Sequence, residues 1–366
     1  MEPLAIYVHT PFCPSKCGYC DFNSYAMSGE IMERTTRATI EEILRSPARG
    51  RPAKTIFFGG GTPTFLEEGQ LVRILEAVFE AHPPLEGCEI TSEANPGTVD
   101  MPKFRAMRGA GFNRISLGAQ SFLDSDLLTL GRVHRSGEIE RAVGVARDAG
   151  FGNLNLDLMF ALPGQSVHAW RRNLERAMAL QPEHLSLYCL TIEPNTAFYK
   201  QHLRGQLAVP GEESQIEMYD ACVAEMEAAG FRQYEISNFA QPGRECRHNL
   251  CYWHAEEYAG YGPGAVGRIG ERRYTNLKHP DLYCAAVEEG GETAFESETV
   301  DEKTLRIEQV MLGLRLNEGV VASLVEQDGL AKADRLGWVE RSGDRVRLTT
   351  EGRHLHNEVV VELMPL

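Results

Sequence analysis

Short apolar runs alternate with longer amphipathic stretches along the first 235 residues. "LAIYVH" (4–9), "KTIFFGG" (54–60), "CEITSEA" (88–94), "NRISLGAQ" (113–120), "NLNLDLMF" (153–160) and "HLSLYCL" (184–190) are rich in β-branched and aromatic residues and bounded by turn formers, which predicts strands. Between them, 30–45, 67–80, 137–149, 168–180 and 212–229 repeat apolar positions at helical spacing. "DAGF" (148–151) and "AAGF" (228–231) put a glycine between a helix and the next strand, where a left-handed C-cap is expected. Six βα units in succession predict an α/β fold, with a parallel sheet wound as a full or partial barrel.

The pattern changes twice further on. Residues 236–295, beginning "ISNFAQPGRECRHNLCYWHAEEYAGYGPGA", lose the alternation and are rich in Tyr, Gly, His and Arg, which predicts a loop-rich insertion or cap. In 296–366, "EKTLRIEQVMLGLRL" (302–316) and "GLAKADRLGW" (329–338) read as helices. "WVERSGDRVRLT" (338–349) reads as a hairpin about Ser-Gly-Asp, and a closing helix follows. The expected modules are therefore a 1–235 barrel, a 236–295 insertion and a small α+β C-terminal domain over 296–366, winged-helix-like in its order of elements.

Polar residues of the barrel region fall at the carboxyl ends of successive strands. Cysteines follow the first, Gly59-Gly60-Gly61-Thr62 the second, Glu93 and Asn95 close the third, Gln120 closes the fourth, and Asp157 lies within the fifth. Barrel chemistry sits on that face, so these are candidate functional residues. Composition narrows the chemistry. A net charge of −15 repels phosphate backbones and argues against a nucleic-acid partner, the winged-helix pattern included. No apolar run approaches the length of a membrane span, and neither a span nor a signal peptide is expected. Nine cysteines, an odd and scattered set, then suit a reducing cytosol better than a disulfide framework.

"HTPFCPSKCGYCDF" (9–22) crowds Cys13, Cys17 and Cys20 into eight residues. Structural zinc wants four closed ligands, and no second cysteine pair follows at zinc-finger distance. A disulfide would leave one thiol over. An iron–sulfur cluster is the third option. Three cysteines on a four-iron cube leave one iron open, which marks a catalytic rather than a structural centre. Around it, Gly60 and Gly61 would let the backbone approach a ligand closely, and Glu93 suits ribose hydroxyls. In the insertion, His248, Tyr252 and Trp253 offer an imidazole and two flat rings, with Arg244 and Arg247 nearby for acidic groups and Cys246 and Cys251 as competing soft ligands.

Cys-x3-Cys-x2-Cys with Tyr19 just before the last cysteine resembles the radical S-adenosylmethionine (SAM) superfamily. "YVHTPFCPSKCGYCDFNS", "FFGGGTPTFL", "SEANPGT", "GFNRISLGAQSF", "GRVHRS" and "NLDLMFALPGQ" together resemble its oxygen-independent coproporphyrinogen III oxidase (HemN) family, over nearly the whole chain. The resemblance implies a partial (βα)6 TIM-like barrel and a [4Fe–4S] cluster on Cys13, Cys17 and Cys20. It implies one or two SAM molecules contacted by Tyr7, Tyr19, Gly60, Gly61, Thr62, Glu93, Gln120, Arg132 and Asp157. Two departures turn it toward the HemW subgroup of heme chaperones: Phe22 stands where the oxidase has a fourth cysteine, and only six residues precede Tyr7 where the oxidase has an additional segment. "HNLCYW" (248–253) is similar to the His-Asn-x-x-Tyr-Trp signature of that subgroup. By that resemblance heme binds near His248, Tyr252 and Trp253 and passes to respiratory hemoproteins. The chain would be cytoplasmic, touch the membrane peripherally during transfer, and be able to form a homodimer. A radical SAM enzyme acting on a porphyrinogen is the alternative.

Overall fold

The structure, a computed structural model, describes residues 2–365. Strands β1 (Leu4–Thr10), β2 (Ala53–Gly60), β3 (Pro84–Ala94), β4 (Arg114–Gln120), β5 (Leu154–Phe160) and β6 (His184–Cys189) are neighbours in that order and run parallel. Helices α1 (Glu30–Leu44), α2 (Glu68–Ala81), α3 (Met101–Ala110), α4 (Asp124–Leu130), α5 (Ser136–Asp148), α6 (Val167–Ala179), α7 (Ala197–Leu203) and α8 (Glu212–Ala228) fill the connections. The six expected strands and five expected helices all form within a few residues of their predicted limits.

Local chemistry explains the boundaries. At the end of α5, Phe151 N–H donates to the Ala146 carbonyl (3.0 Å) and Gly150 N–H to that of Arg147 (2.9 Å), with Gly150 at φ +91°. This is a Schellman cap, and only a residue without Cβ takes that φ cheaply. α3 lies outside the segments marked by periodicity. It starts because the Asp100 carboxylate accepts from Lys103 N–H (2.9 Å) and Pro102 stands in the first turn. The core lies between the sheet and its helices. Trp170 of α6 is fully buried against Phe160 of β5 (5.4 Å between ring centroids), and its indole N–H donates to the Met218 carbonyl of α8 (3.1 Å). Replacing so large a core ring costs ~3–5 kcal/mol.

The segment expected to be loop-rich carries regular structure that extends the same sheet. β7 (Arg232–Glu235), which ends just before that segment, forms a hairpin with β8 (Asn238–Ala240), and β8 pairs antiparallel with β6. Helix α9 (Arg247–Trp253) leads into β9 (Tyr258–Tyr261), which pairs parallel with β1 as a seventh parallel strand. β10 (Val266–Ile269), β11 (Arg272–Asn276), α10 (Pro280–Glu288) and β12 (Ala294–Thr299) follow, and those strands continue antiparallel. Strands of three to five residues are too short to display a period-two pattern, and the six-residue β12 is almost wholly exposed, which is why the sequence reads there as loop. The twelve strands run β12-β11-β10-β9-β1-β2-β3-β4-β5-β6-β8-β7, an open cup rather than a closed barrel.

The C-terminal module has its own core, including Val310, Leu314, Leu330, Val346, Val359 and Leu363. It consists of α11 (Glu302–Gly313), β13 (Val320–Val321), α12 (Gln327–Arg335), β14 (Val339–Ser342), β15 (Arg345–Leu348), α13 (Thr350–His354) and α14 (His356–Leu363). The expected hairpin turns at Gly343-Asp344, with Ser342 paired to Arg345. Among the described residues no helix is long and apolar enough to cross a membrane.

Candidate functional site

The cysteine loop leaves the top of β1. Its base is pinned by a bridge between Phe12 and Tyr25, with Cys13 N–H donating to the Tyr25 carbonyl (3.0 Å) and Tyr25 N–H to that of Pro11 (2.7 Å). Its far end is held at Gly18, whose N–H donates to the Leu130 carbonyl (3.1 Å) and whose carbonyl accepts from Phe198 N–H (2.9 Å). A Cβ on Gly18 would stand 2.8 Å from the Phe198 ring. All three cysteines are free and half-buried. Burial pushes the Cys13 and Cys20 thiols above the ordinary range, and the Thr62 hydroxyl, 3.4 Å from Cys13 Sγ, opposes this at Cys13. Iron takes thiolates, so loading this loop releases protons.

The Gly60–Thr62 turn supports that loop. Gly61 N–H donates to the Thr10 carbonyl and Thr62 N–H to that of Phe12, both at 2.7 Å. Gly60 has φ +104°, and a Cβ there would collide with the His9 ring. A Cβ on Gly61 would stand 2.6 Å from the Phe12 carbonyl oxygen. The expectation was that these glycines make room for a ligand. In the structure the space a Cβ would take is filled by the chain itself, so the glycines let β2 close on the cysteine loop, and their backbone still borders the cavity at the strand ends.

Cys13, Cys17, Cys20, Tyr19, Gly60, Gly61, Thr62, Glu93, Gln120, Arg132 and Asp157 line one cavity of about 320 Å³ at the carboxyl ends of the strands. Gln120 ends β4 at φ +64°, a left-handed conformation that costs a non-glycine residue energy and is characteristic of sites that aim a side chain. Arg132 reaches Cys17 Sγ (3.7 Å) through Nη1 and the Gly118 carbonyl (2.9 Å) through Nη2, and its Nε is buried without a partner. Asp157 is held by the Ser116 hydroxyl (3.0 Å) and Asn155 Nδ2 (2.8 Å). Among the described residues no three His, Cys, Asp or Glu side chains converge on one ion. A cubane requires a different arrangement, one thiolate on each of three separate irons. Three thiols on one loop facing a shared cavity fit that demand.

Glu93 accepts from Gly60 N–H (3.1 Å). Burial, and then the neighbouring Asp157, push its carboxyl up to about 8 from an ordinary value of 4.5. Without cluster or SAM, the folded chain therefore keeps a proton on Glu93 that the unfolded chain releases near pH 4.5. This contribution to stability is complete below that pH and is lost as pH rises through about 8. Glu93→Gln is expected to flatten the fall in apo-protein stability between pH 5 and 8, as measured by urea unfolding; an unchanged slope would assign the titration elsewhere.

Three neighbours were not singled out from sequence. His134 is buried between the Asn95 Oδ1 and the Ala119 carbonyl (both 3.2 Å), where burial and then Arg132 lower its pKa to about 4. As a neutral ring it has a single N–H to donate, to one of these two oxygens, and it packs the Arg132 segment against the ends of β3 and β4. Tyr188 and Cys189 end β6 on the cavity wall, and the strand-end pattern that marked the first five strands would have found them.

The remaining predicted residues lie elsewhere. Tyr7 donates to His9 Nδ1 (2.9 Å) and, with His248 and Tyr252, lines a second cavity inside the cup. His248 is 1% exposed. Its Nδ1 lies 2.9 Å from the Thr55 hydroxyl near the start of β2, and its Nε2 lies 2.9 Å from the Tyr252 hydroxyl. The ring stacks on Phe57 (5.1 Å between centroids), and burial holds it neutral with a pKa near 3. The Glu89 carboxylate of β3 caps this short helix, accepting from the N–H groups of Arg247 (3.2 Å) and His248 (3.0 Å). Trp253 faces the other way, with the Arg315 guanidinium 4.6 Å from its ring. The His-Asn-x-x-Tyr-Trp helix thus plugs the cup at the amino ends of its strands, away from the cysteine loop. An axial bond from His248 to heme iron would require one of its two ring hydrogen bonds to open.

Parallel strands with a three-thiol loop at their mouth define the class, a radical SAM protein; the family model of the Radical SAM superfamily matches residues 7–177. The chain is 38% identical to heme chaperone HemW of Bacillus subtilis, over 96% of this chain and 97% of that protein. It is 41% identical to the Escherichia coli protein of that name over 76% of this chain and 75% of the relative, and 35% identical to that of Mycobacterium tuberculosis over 99% and 95%. The chain belongs to the HemW family. Membership in the radical SAM superfamily implies a [4Fe–4S] cluster and SAM. The fold is shared with the structure of E. coli coproporphyrinogen III oxidase (HemN), at a TM-score of 0.84, 23% identity and coverage of 99% of this chain and 90% of that one.

Proposed function

We propose that this chain is a heme chaperone that holds its [4Fe–4S] cluster on Cys13, Cys17 and Cys20, binds SAM in the mouth of the cup, and passes heme to respiratory hemoproteins. The name of its relatives supports heme as the cargo. Bound together, cluster and SAM supply one-electron chemistry at the open iron. The residues of this chain bind and orient. Arg132 offsets the negative charge of the thiolate trio, Thr62 donates beside Cys13, and Glu93 and Asp157 receive ribose hydroxyls. Tyr19 and Gln120 close the walls. Tyr7 lines the inner cavity instead, below the mouth.

The observation that carries the position of heme is the apolar rim of the mouth. Phe22 is 60% exposed, Val133 53% and Tyr188 39%, and all three line the same cavity as the trio. Exposed aromatics and aliphatics clustered at a cavity suit a flat macrocycle. His248 and Tyr252 then act by closing the floor beneath it, and Trp253 anchors the plug helix against Arg315. Hemin titration of the anaerobically reconstituted protein tests this. Val133→Asp is expected to weaken hemin binding about tenfold, the scale of ~1.4 kcal/mol, while His248→Ala leaves the Soret maximum unmoved. The reverse pattern would move heme to the plug helix. Formation of protoporphyrinogen from coproporphyrinogen, dependent on SAM and reductant, would replace the chaperone reading with an oxidase.

A further inference from the structure

Below the mouth the cup encloses a second cavity of about 210 Å³. It shares Glu93, Ser116, Asp157 and Tyr188 with the mouth, so the two cavities adjoin, and His248 and Tyr252 of the plug helix close it below. Arg114, the first residue of β4, lines this chamber and is 1% exposed. Its Nε is buried with no hydrogen-bond partner. The titratable groups near it are Cys246, Glu89, Tyr234 and Asp157, together with the buried neutral rings of His184 and His248. The two carboxylates among them are engaged elsewhere. Glu89 caps the plug helix through both oxygens, and Asp157 accepts from Ser116 and Asn155.

A guanidinium is charged at every accessible pH and presents a planar fork of donors. A buried charge of this kind persists when a counter-group or ordered solvent completes its hydrogen bonds. The fork matches a carboxylate in two parallel bonds. The chamber holds about seven waters' worth of volume at ~30 Å³ each, enough for an acid group on a short alkyl arm and far too little for a macrocycle.

We propose that this chamber is a carboxylate-binding site in which Arg114 receives the acid group of a ligand entering through the mouth. Two sources share that chemistry: a propionate arm of a heme seated at the rim, and a small free carboxylate. The first source rests on heme as cargo; the site itself does not.

The test uses the full reconstituted chain, wild type and Arg114→Met, with hemin, hemin dimethyl ester and formate as probes. Formate at millimolar concentration is expected to raise the melting temperature of the wild type and not of the variant. Protection of both proteins, or of neither, overturns the site. If a propionate is the occupant, wild type binds hemin about tenfold more tightly than the ester, and Arg114→Met binds both alike at the weaker level. Equal binding of hemin and ester by wild type, with formate protection intact, assigns the site to a small free carboxylate. Loss of all hemin binding with formate protection intact removes the cargo reading and leaves the site standing. Should Arg114→Met not fold, Arg114→Lys, which keeps the charge and loses the fork, is expected to lower formate protection severalfold; undiminished protection overturns the site.

Discussion

Cys17→Ser is expected to yield a folded chain that cannot hold a [4Fe–4S] cluster. A serine hydroxyl does not ionise near neutrality, so one of three irons loses its anionic ligand. Cys17 is also the thiol that Arg132 contacts, at 3.7 Å, so the change removes the sulfur whose charge the guanidinium offsets. The fold should survive, because the loop is held by backbone hydrogen bonds at Cys13, Gly18 and Tyr25 rather than by its sulfurs. After anaerobic reconstitution, iron and sulfide are expected to fall from about four per chain to background, with loss of the broad iron–sulfur absorbance. SAM affinity should fall at least about tenfold, because the mouth that receives SAM loses its cluster. Circular dichroism should match the wild type. A variant that still carries a full iron load would remove Cys17 from the ligand set, and with it the cluster assignment.

Arg315→Ala is expected to cost about 3 kcal/mol of stability. Arg315 follows α11 and pairs with Glu235 at 2.9 Å, where the carboxylate is fully buried and the Arg315 side chain one-quarter exposed. Removing one partner of such a pair strands the other without compensation, for ~3–5 kcal/mol, and the partial exposure of Arg315 places the value at the low end. The same guanidinium covers Trp253, so the plug helix loosens with the C-terminal module. In urea unfolding the midpoint should fall with little change in slope. Adding Glu235→Gln should recover most of the loss, because the stranded charge is gone; a double variant no more stable than Arg315→Ala would show that packing, not charge, makes the joint.

The two variants separate what the sequence shows from what it hides. The cluster side of the molecule is legible because its residues are local. Three cysteines within eight positions, a glycine turn and polar strand ends are each read within a window of ten residues, and strand order then brings them to one mouth. The barrel units are legible for the same reason: strands of six or more residues show their apolar faces, and helices close with a glycine cap as at Gly150. His248 shows the opposite case. Imidazole beside two aromatic rings reads as a ligand set, yet what the ring does depends on Thr55, almost two hundred positions away, and on Phe57 beneath it. A neutral histidine with both nitrogens engaged and a histidine open to iron have the same letter and the same neighbours in sequence.

By itself, then, the sequence determined the alternation of strands and helices, the three-thiol loop, its placement after the first strand and the rank of polar groups at strand ends. All of these are set by spacing along the chain and by residue chemistry. Tertiary structure alone decided that β9 joins β1 as a seventh parallel strand, that the His-Asn-x-x-Tyr-Trp helix plugs the floor, that Glu235 and Arg315 lock the last module to the cup, and that Arg114 stands with an unpaired Nε over an inner chamber. The physical reason is burial. Whether a charge or a ring nitrogen is satisfied depends on which distant groups share its low-dielectric surroundings, and no local pattern carries that information.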